Sequence, residues 1–403
     1  MDVDTWASPP PKLLLEIFSR LPASATLICT GVCKPWRRTI LNNAASCLRP
    51  RPDRFFPGLL LGFLHNHRDA GRRHVSLQRL LMPGPPEFAP VAVTAAGLPA
   101  VVSSFLVHGG AELAPYDEVL SSRDGLVLLR GKNARDGRLC LRNLMTGERK
   151  LLPGGAFKEA CTYVLLTGYD LAGVGDTEAL VELAVKEKDI DGGMTYQIFS
   201  AARDGGGASW GEVTCSPRFT KGGHVTLTRI YPGSEVIVFG GAVHWLAMAA
   251  ELGGVECAVA LDVRTRRTWS TRLPEGCGRL DYYGSLSTRP ARLVTSADGR
   301  LSLVRSFGDC LVEVWVLAGG DQWAPRRTID VRSLLPYRRW RDEAVWFSAF
   351  CPRSGRLVGH IDGMELLVDA ERGSCCMVDT NHGECLYSYE MDWSTYLAKM
   401  KHL

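Results

Sequence analysis

The sequence predicts a small all-α segment of three short helices followed by an all-β domain, most simply a β-propeller of about six blades. Helical periodicity of the apolar residues is confined to the first 50 residues. From about residue 55 onward, short apolar runs alternate with glycine, proline and Asp-Gly turns, which is the pattern of strands. The chain has 403 residues, more than one compact core holds, so it must contain several domains or a repeat.

The composition is that of a folded chain with little excess charge. Hydrophobic residues make up 46% and charged residues 22% of the chain, which argues against wholesale disorder. The 47 basic and 43 acidic residues leave a net charge of +4, too small to indicate a nucleic-acid partner. The 42 glycines and 22 prolines favour many short strands over long helices.

The sequence also predicts neither a membrane span nor export. The most apolar long window, residues 236–250, has 15 residues and contains His244, whereas a span needs roughly 18. The N-terminus lacks the basic and apolar regions of a signal peptide. The 13 cysteines are scattered and odd in number, so we expect reduced thiols in a cytoplasmic or nuclear protein without a membrane partner.

Residues 10–21 predict the first helix. The apolar residues that share one of its faces are Leu13, Leu14, Ile17, Phe18 and Leu21. Prolines precede this run, where a missing N–H costs nothing, and Pro22 ends it because the residue before a proline is pushed out of the helical region.

Two further short helices follow. Ser24 is a suitable N-cap for the second, and Gly31 ends it. The third begins near Cys33 with Pro35 in its first turn, and Val32, Trp36 and Ile40 lie on one side of it. So small a unit has too little interior to bury all its apolar side chains, so some apolar surface must serve another protein or the following domain.

This N-terminal run resembles an F-box, whose pattern joins a Leu-Leu-x-Glu-Ile-Leu-x-x-Leu-Pro helix to a Val-Cys-Lys-x-Trp-Arg close. The residues in register with that pattern are Pro10, Leu13, Leu14, Ile17, Leu21, Pro22, Val32, Cys33, Lys34, Trp36 and Arg37. The sequence departs from it at Pro9, Thr26 and Gly31. The alternative is an ordinary three-helix cap on the next domain.

The F-box resemblance implies an adaptor role for residues 8–48. F-box proteins dock on the Skp adaptor of an SCF (Skp–cullin–F-box) ubiquitin ligase, and through it on a cullin, and they present a target protein with another domain. The residues implied to contact the adaptor are Pro10, Leu13, Leu14, Ile17, Leu21, Pro22, Val32, Cys33 and Trp36. Catalysis of ubiquitin transfer belongs to other subunits, so the chain is expected to be neither an enzyme nor a carrier of a cofactor.

A rough repeat organises the remainder of the chain. Gly125, Gly241, Gly299 and Gly355 each precede a short apolar run, a loop and a second run, and they lie 116, 58 and 56 residues apart. Repeats with four strands per unit indicate a β-propeller, and the strand after each glycine is predicted to line its channel. A pair of β-sandwiches is the alternative.

This layout resembles the kelch-like F-box-associated domain that is common in plant F-box proteins. The resemblance implies a linker at 49–57 and a target-binding propeller at 58–400. Segments 203–210 and 217–224, which mix glycine, arginine and aromatic residues, are the candidate target contacts, at the end of the propeller away from the adaptor.

No motif for phosphate binding, hydrolase chemistry or a zinc protease occurs in the sequence. The best metal candidate is Cys375 and Cys376 with His382 and Cys385, although neighbouring cysteines chelate one ion poorly. The alternative function is a propeller enzyme or ligand-binding protein of oxidase or lectin type, with a coincidental helical cap. That class requires convergent acids or metal ligands at the mouth of the channel.

Overall fold

The computed structural model of the chain describes residues 9–21, 23–43, 55, 59–66, 85–91, 113–131, 138–156, 161–167, 170, 179–184, 195–200, 209–216, 220–221, 224–227, 236–249, 255–274, 291–307, 310–319, 322–335, 345–361, 364–378 and 386–392. The predicted domain boundaries at residues 8, 48, 49, 57, 58 and 400 all lie outside these residues, so they stay predictions.

Helices are few in the described part of the chain, and three of them lie at its N-terminus. They are α1 (Pro11–Arg20), α2 (Ala23–Cys29) and α3 (Lys34–Asn42), and a single-turn helix α4 (Val331–Leu334) lies farther along. Helix α1 begins with a proline, and the Leu21 N–H donates to the Ile17 and Phe18 carbonyls at its C-terminal end. The described residues include no helix of the length and apolarity that a membrane crossing needs.

The described strands form six antiparallel sheets. Sheet 1 contains β1 (Leu60–His65), β2 (Glu87–Pro90) and β26 (Leu386–Glu390), and sheet 2 contains β3 (Tyr116–Arg123), β4 (Leu126–Gly131), β5 (Leu139–Asn143) and β6 (Arg149–Leu152). Sheet 3 contains β7 (Cys161–Leu166), β8 (Ala179–Ala184), β9 (Thr195–Ser200), β10 (Ser209–Trp210) and β11 (Thr214–Cys215).

The other three sheets follow in chain order. Sheet 4 contains β12 (Thr220–Lys221), β13 (His224–Leu227), β14 (Ile237–Phe239), β15 (Ala242–Ala249), β16 (Val255–Asp262) and β17 (Thr268–Arg272). Sheet 5 contains β18 (Ala291–Thr295), β19 (Leu301–Phe307), β20 (Leu311–Ala318) and β21 (Gln322–Asp330), and sheet 6 contains β22 (Trp346–Cys351), β23 (Arg356–Ile361), β24 (Met364–Asp369) and β25 (Ser374–Val378).

The six sheets are the blades of a β-propeller. One strand of each sheet contributes to the wall of a single cavity of about 90 Å³: β26, β3, β7, β14, β18 and β22. Buried apolar clusters fill the spaces between neighbouring sheets, and a cluster that joins sheets 3 and 4 includes Leu166, Val243 and the fully buried Trp245. The fold prediction is therefore confirmed for a propeller of six blades after a helical N-terminus.

Sheet 1 closes the ring because it joins strands from both ends of the domain. Strand β1 pairs with β2 on one side and with β26 on the other, and Leu64 lies opposite Tyr387 in the second pairing. Sheet 1 therefore lies between sheet 2 and sheet 6 and contacts both.

The repeating glycines have a different role from the predicted one. Gly125, Gly241, Gly299 and Gly355 have φ values of 78°, 78°, 70° and 69°, so they form the turn after the innermost strand of sheets 2, 4, 5 and 6. Glycine adopts this left-handed conformation without steric cost. The strand that lines the channel precedes the glycine, and the prediction that it follows the glycine is wrong.

Candidate functional site

Helix α1 divides its apolar residues between two faces. Leu14 and Phe18 are 2% and 0% exposed, whereas Leu13 and Ile17 are 48% and 41% exposed. Each pair is separated by four residues, which places its members one above the other on a helix. The helix therefore packs through one apolar face and presents a second one to solvent.

The inward face of α1 shares a core with the propeller. Leu14, Phe18 and Ile40 belong to one continuous buried cluster, and the propeller contributes to it Leu59, Leu61, Leu64, Leu113, Tyr116, Val119, Val127, Leu129, Cys140, Leu144, Tyr389 and Met391. The Trp36 ring packs edge-on against Phe18 at 5.4 Å. The helical unit is thus seated on the propeller rather than tethered beside it.

The outward side of the helical unit carries an unusual amount of exposed apolar surface. Nine large apolar side chains are exposed in the described residues, and four of them lie between residues 13 and 32. We call these four, Leu13, Ile17, Ile28 and Val32, the exposed apolar face. Since exposed apolar side chains concentrated in one part of a protein mark interaction sites, the helical unit is the strongest candidate for a partner-binding surface.

The structure separates the nine residues that the F-box resemblance implied. Pro10, Leu13, Ile17 and Val32 are exposed, Leu21, Cys33 and Trp36 are partly buried, Leu14 is buried, and Pro22 lies outside the described residues. Ile28, which is 65% exposed, was missed. None of the residues in register with the F-box pattern lies on α2, so that pattern gave no signal for Ile28.

The central cavity is a second candidate, since catalytic propellers place their reactive groups at the channel. Its polar lining consists of Ser121, Ser122, Arg123, Thr162, Tyr163, Arg292, Tyr387 and Ser388, and no Asp, Glu, His or Cys occurs among the described residues that line it. The Ser122 hydroxyl donates to the Ser388 carbonyl, so it joins sheets 2 and 1. These described lining groups are hydroxyls and guanidinium groups, without an acid–base pair.

Carboxylates do meet near the channel, but they are held by arginines. Arg123 donates from Nε and Nη2 to Asp170 at 2.6 and 2.5 Å, and Arg353 donates to the two carboxylate oxygens of Asp124 at 2.6 and 2.7 Å. Burial alone raises the pKa of Asp124, but the charge and hydrogen bonds of Arg353 outweigh it and lower that pKa to about 2. A carboxylate held ionised in this way is a poor general base.

The predicted metal candidates are not brought together in the described residues. Cys375 and Cys376 are neighbours on β25, where successive side chains point to opposite faces, and His382 and Cys385 lie outside the described residues. No cluster of three or more potential metal ligands occurs in the described part of the chain.

Comparison with known families matches two separate parts of the chain. The F-box domain model matches residues 10–44, and the model described as "Domain of unknown function (DUF7595)" matches residues 90–403. The first match covers the helical unit and its exposed apolar face. No curated protein matches the sequence.

Two solved structures match parts of the chain at low identity. Sqt1 of Saccharomyces cerevisiae is 12% identical over 65% of this chain and 61% of its own length, with a TM-score of 0.33. A luciferin-regenerating enzyme is 10% identical over 70% of this chain and 78% of its own, with a TM-score of 0.30. The chain therefore spans about 61% of the length of the first, and at these scores neither likeness carries a functional argument.

Proposed function

The chain belongs to the DUF7595 family and carries an F-box domain at its N-terminus, and from this premise we propose that it is the substrate-recognition subunit of an SCF-type ubiquitin ligase. The F-box would bind a Skp-type adaptor and, through it, a cullin. The propeller, which we regard as kelch-like in role, would bind a target protein. In this proposal the chain itself performs no catalysis and acts in the cytoplasm, the nucleus or both.

The observation that carries the proposal is the exposed apolar face within the residues matched as an F-box. Leu13, Ile17 and Val32 belong both to this face and to the F-box pattern. Full burial of an exposed Leu, Ile or Val side chain contributes about 1.5–3 kcal/mol, and these half-exposed side chains would each contribute a part of that amount to a complex. The partly buried Leu21, Cys33 and Trp36 would support this surface. The exposed Pro10 would extend it at the start of α1.

The proposed target surface lies at the opposite end of the propeller from the F-box. The inner strands β26, β3, β7 and β22 end at the network of Arg353, Asp124, Asp170 and Glu390. The chain enters the propeller at that same end, because Leu60 at the start of β1 pairs with Glu390. A target would then bind at the end where the inner strands begin.

Of the two segments suggested as target contacts, the structure describes residues 209–210 of the first and residues 220, 221 and 224 of the second. Ser200, at the end of β9, and Ser209, at the start of β10, pair with each other near the end of β7, which is the F-box end. Residues 203–208 lie outside the described residues, so segment 203–210 stays a proposal. Strand β13 pairs with the far end of β15, at Met248 and Ala249, so the described residues of segment 217–224 remain candidates.

A reconstitution experiment tests the proposal. The full chain is co-expressed with a Skp-type adaptor and a cullin, and the products are separated by size-exclusion chromatography. We expect one complex that contains all three proteins. If the adaptor–cullin complex elutes separately from the chain, the adaptor role is wrong. The alternative, a propeller enzyme or ligand-binding protein, predicts that separate elution.

A further inference from the structure

The central cavity is small, and the inner strands of all six sheets line it. Its volume is about 90 Å³. A single water needs about 10–15 Å³ of such space, so the cavity has room for about six waters or for one small ion. Its size therefore suits a small ligand rather than a segment of another protein.

Arg292 places a positive charge at the wall of this cavity. It is the second residue of β18, it is 4% exposed, and its Nη1 donates to the Phe347 carbonyl of β22 at 3.1 Å. The pKa of His360 is lowered to about 4, first by burial and then by the charge of Arg292. The charge of Arg292 therefore acts on the buried groups around it, and charges interact more strongly in such a site than in water.

Thr162 places a hydroxyl group at the wall of the same cavity. It is the second residue of β7 and is 5% exposed. Its hydroxyl makes no hydrogen bond with any residue that the structure describes. Buried hydroxyl groups usually have a partner, either a protein group or a bound molecule. We expect the partner of this hydroxyl to lie in the cavity itself.

The wall of the cavity is richer in donors than in free acceptors. The Ser122 hydroxyl donates to the Ser388 carbonyl at 2.8 Å, and the Phe347 carbonyl accepts from Arg292 in the same way. The described lining residues include no carboxylate. The carboxylates that Arg353 contacts lie at one end of the channel, where they accept hydrogen bonds from the protein. Such a wall suits an anion and offers a metal cation no charged ligand.

We propose that the central cavity binds a small oxyanion of the phosphate class, with the Arg292 guanidinium group as its charged partner and the Thr162 hydroxyl as a further donor. This inference does not rest on the proposed function. Hydrogen bonds from a guanidinium group to phosphate oxygens are about twice as strong as those between neutral groups. Both residues lie near the start of their inner strands, so the anion would join sheets 3 and 5 on the side of the cavity away from Arg353.

Isothermal titration calorimetry of the full chain with sodium phosphate tests this proposal. Phosphate is raised to about 10 mM while sodium chloride keeps the ionic strength constant, so that general screening of charges does not change. We expect saturable binding at a single site. Thr162→Val removes the hydroxyl with little change in side-chain shape and should weaken binding about tenfold, because one hydrogen bond to a charged group is lost. Arg292→Met should show no measurable binding.

Thr195→Val is the matched control, since Thr195 is a buried threonine of sheet 3 that does not line the cavity. It should bind phosphate like wild type. Thr162→Val should fold as stably as wild type, because its hydroxyl has no partner in the described part of the chain, so this variant decides the test even if Arg292→Met does not fold. Absence of saturable binding to wild type, wild-type affinity of Thr162→Val, or equal weakening by Thr195→Val would overturn the inference.

Discussion

The guanidinium group of Arg353, after the innermost strand of sheet 6, donates two hydrogen bonds to the carboxylate of Asp124, after the innermost strand of sheet 2. The same arginine lies 3.4 Å from Asp170 of sheet 3, and its backbone N–H donates to the Glu390 carboxylate of sheet 1. Four of the six blades therefore meet in one buried network at the end of the channel where their innermost strands end.

Removal of Arg353 should destabilise the propeller strongly. The variant Arg353→Met leaves Asp124 buried beside Asp170 without its cation, and breaking a buried ion pair in this way costs about 3–5 kcal/mol. Urea unfolding followed by tryptophan fluorescence measures the change. The double variant Arg353→Met/Asp124→Asn should regain part of the loss, and equal stability of wild type and Arg353→Met would show that the network does not hold the blades together.

The same network predicts how stability changes with acidity. The pKa of Asp124 is lowered from 3.8 to about 2 in the folded state, so the folded state binds a proton less readily than the unfolded chain. The resulting stabilisation is complete above a pH of about 4 and is lost as the pH falls toward 2. We expect Asp124→Asn to be less stable than wild type at neutral pH and to show a smaller loss of stability between pH 4 and 2. The free energy of unfolding, measured across that range, checks this.

The two faces of α1 should respond differently to truncation. Leu14→Ala removes a buried side chain from the core shared with the propeller and should cost about 2–5 kcal/mol of stability. Ile17→Ala removes a half-exposed side chain and should change stability by less than about 0.5 kcal/mol. Thermal and urea unfolding of both variants compare them. Equal losses would contradict the division of α1 into a packed and a presented face.

Phe55, in the predicted linker, should keep its position only while residue 355 of sheet 6 is glycine. Gly355 has a φ of 69°, and a Cβ atom there would lie 2.2 Å from Cδ2 of Phe55. Gly355→Ala should therefore cost more than about 1 kcal/mol, from backbone strain and from displacement of the ring. Phe55→Ala removes the clash but not the strain, so the double variant should be destabilised by less than the sum of the single variants. Strict additivity would show that the contact with Phe55 contributes nothing.

The sequence predicted the helices and turns better than the contacts between residues that are distant in the chain. The three N-terminal helices follow from local periodicity, and each repeated glycine marked a turn because the left-handed conformation favours glycine. Pairing of Arg353 with Asp124 joins residues 229 positions apart and has no local signal. Whether the strand before or after each glycine lines the channel depends on how the sheets are arranged around it. A single repeat does not specify that arrangement.

The candidate site shows the same limit. Leu14 and Ile17 are equivalent in the periodic pattern, and both match the F-box pattern, so the sequence assigned both to the adaptor. Which of them is buried depends on Tyr389, in the last strand of the propeller, and Met391, just after it, because both pack into the same cluster as Leu14. Burial against residues so distant in the chain cannot be read from a ten-residue helix.

The affinity of the full chain for a Skp-type adaptor, measured by isothermal titration calorimetry for matched surface variants, tests the central claim most directly. The variant Leu13→Ala/Ile17→Ala truncates the exposed apolar face, and the control Leu151→Ala/Met377→Ala truncates two exposed side chains of the propeller. The account predicts that the first variant binds at least about tenfold more weakly than wild type, about 1.4 kcal/mol, and that the control binds like wild type. Unchanged affinity of the first variant, with its fold intact by circular dichroism, would contradict the assignment of this face as the adaptor-binding site.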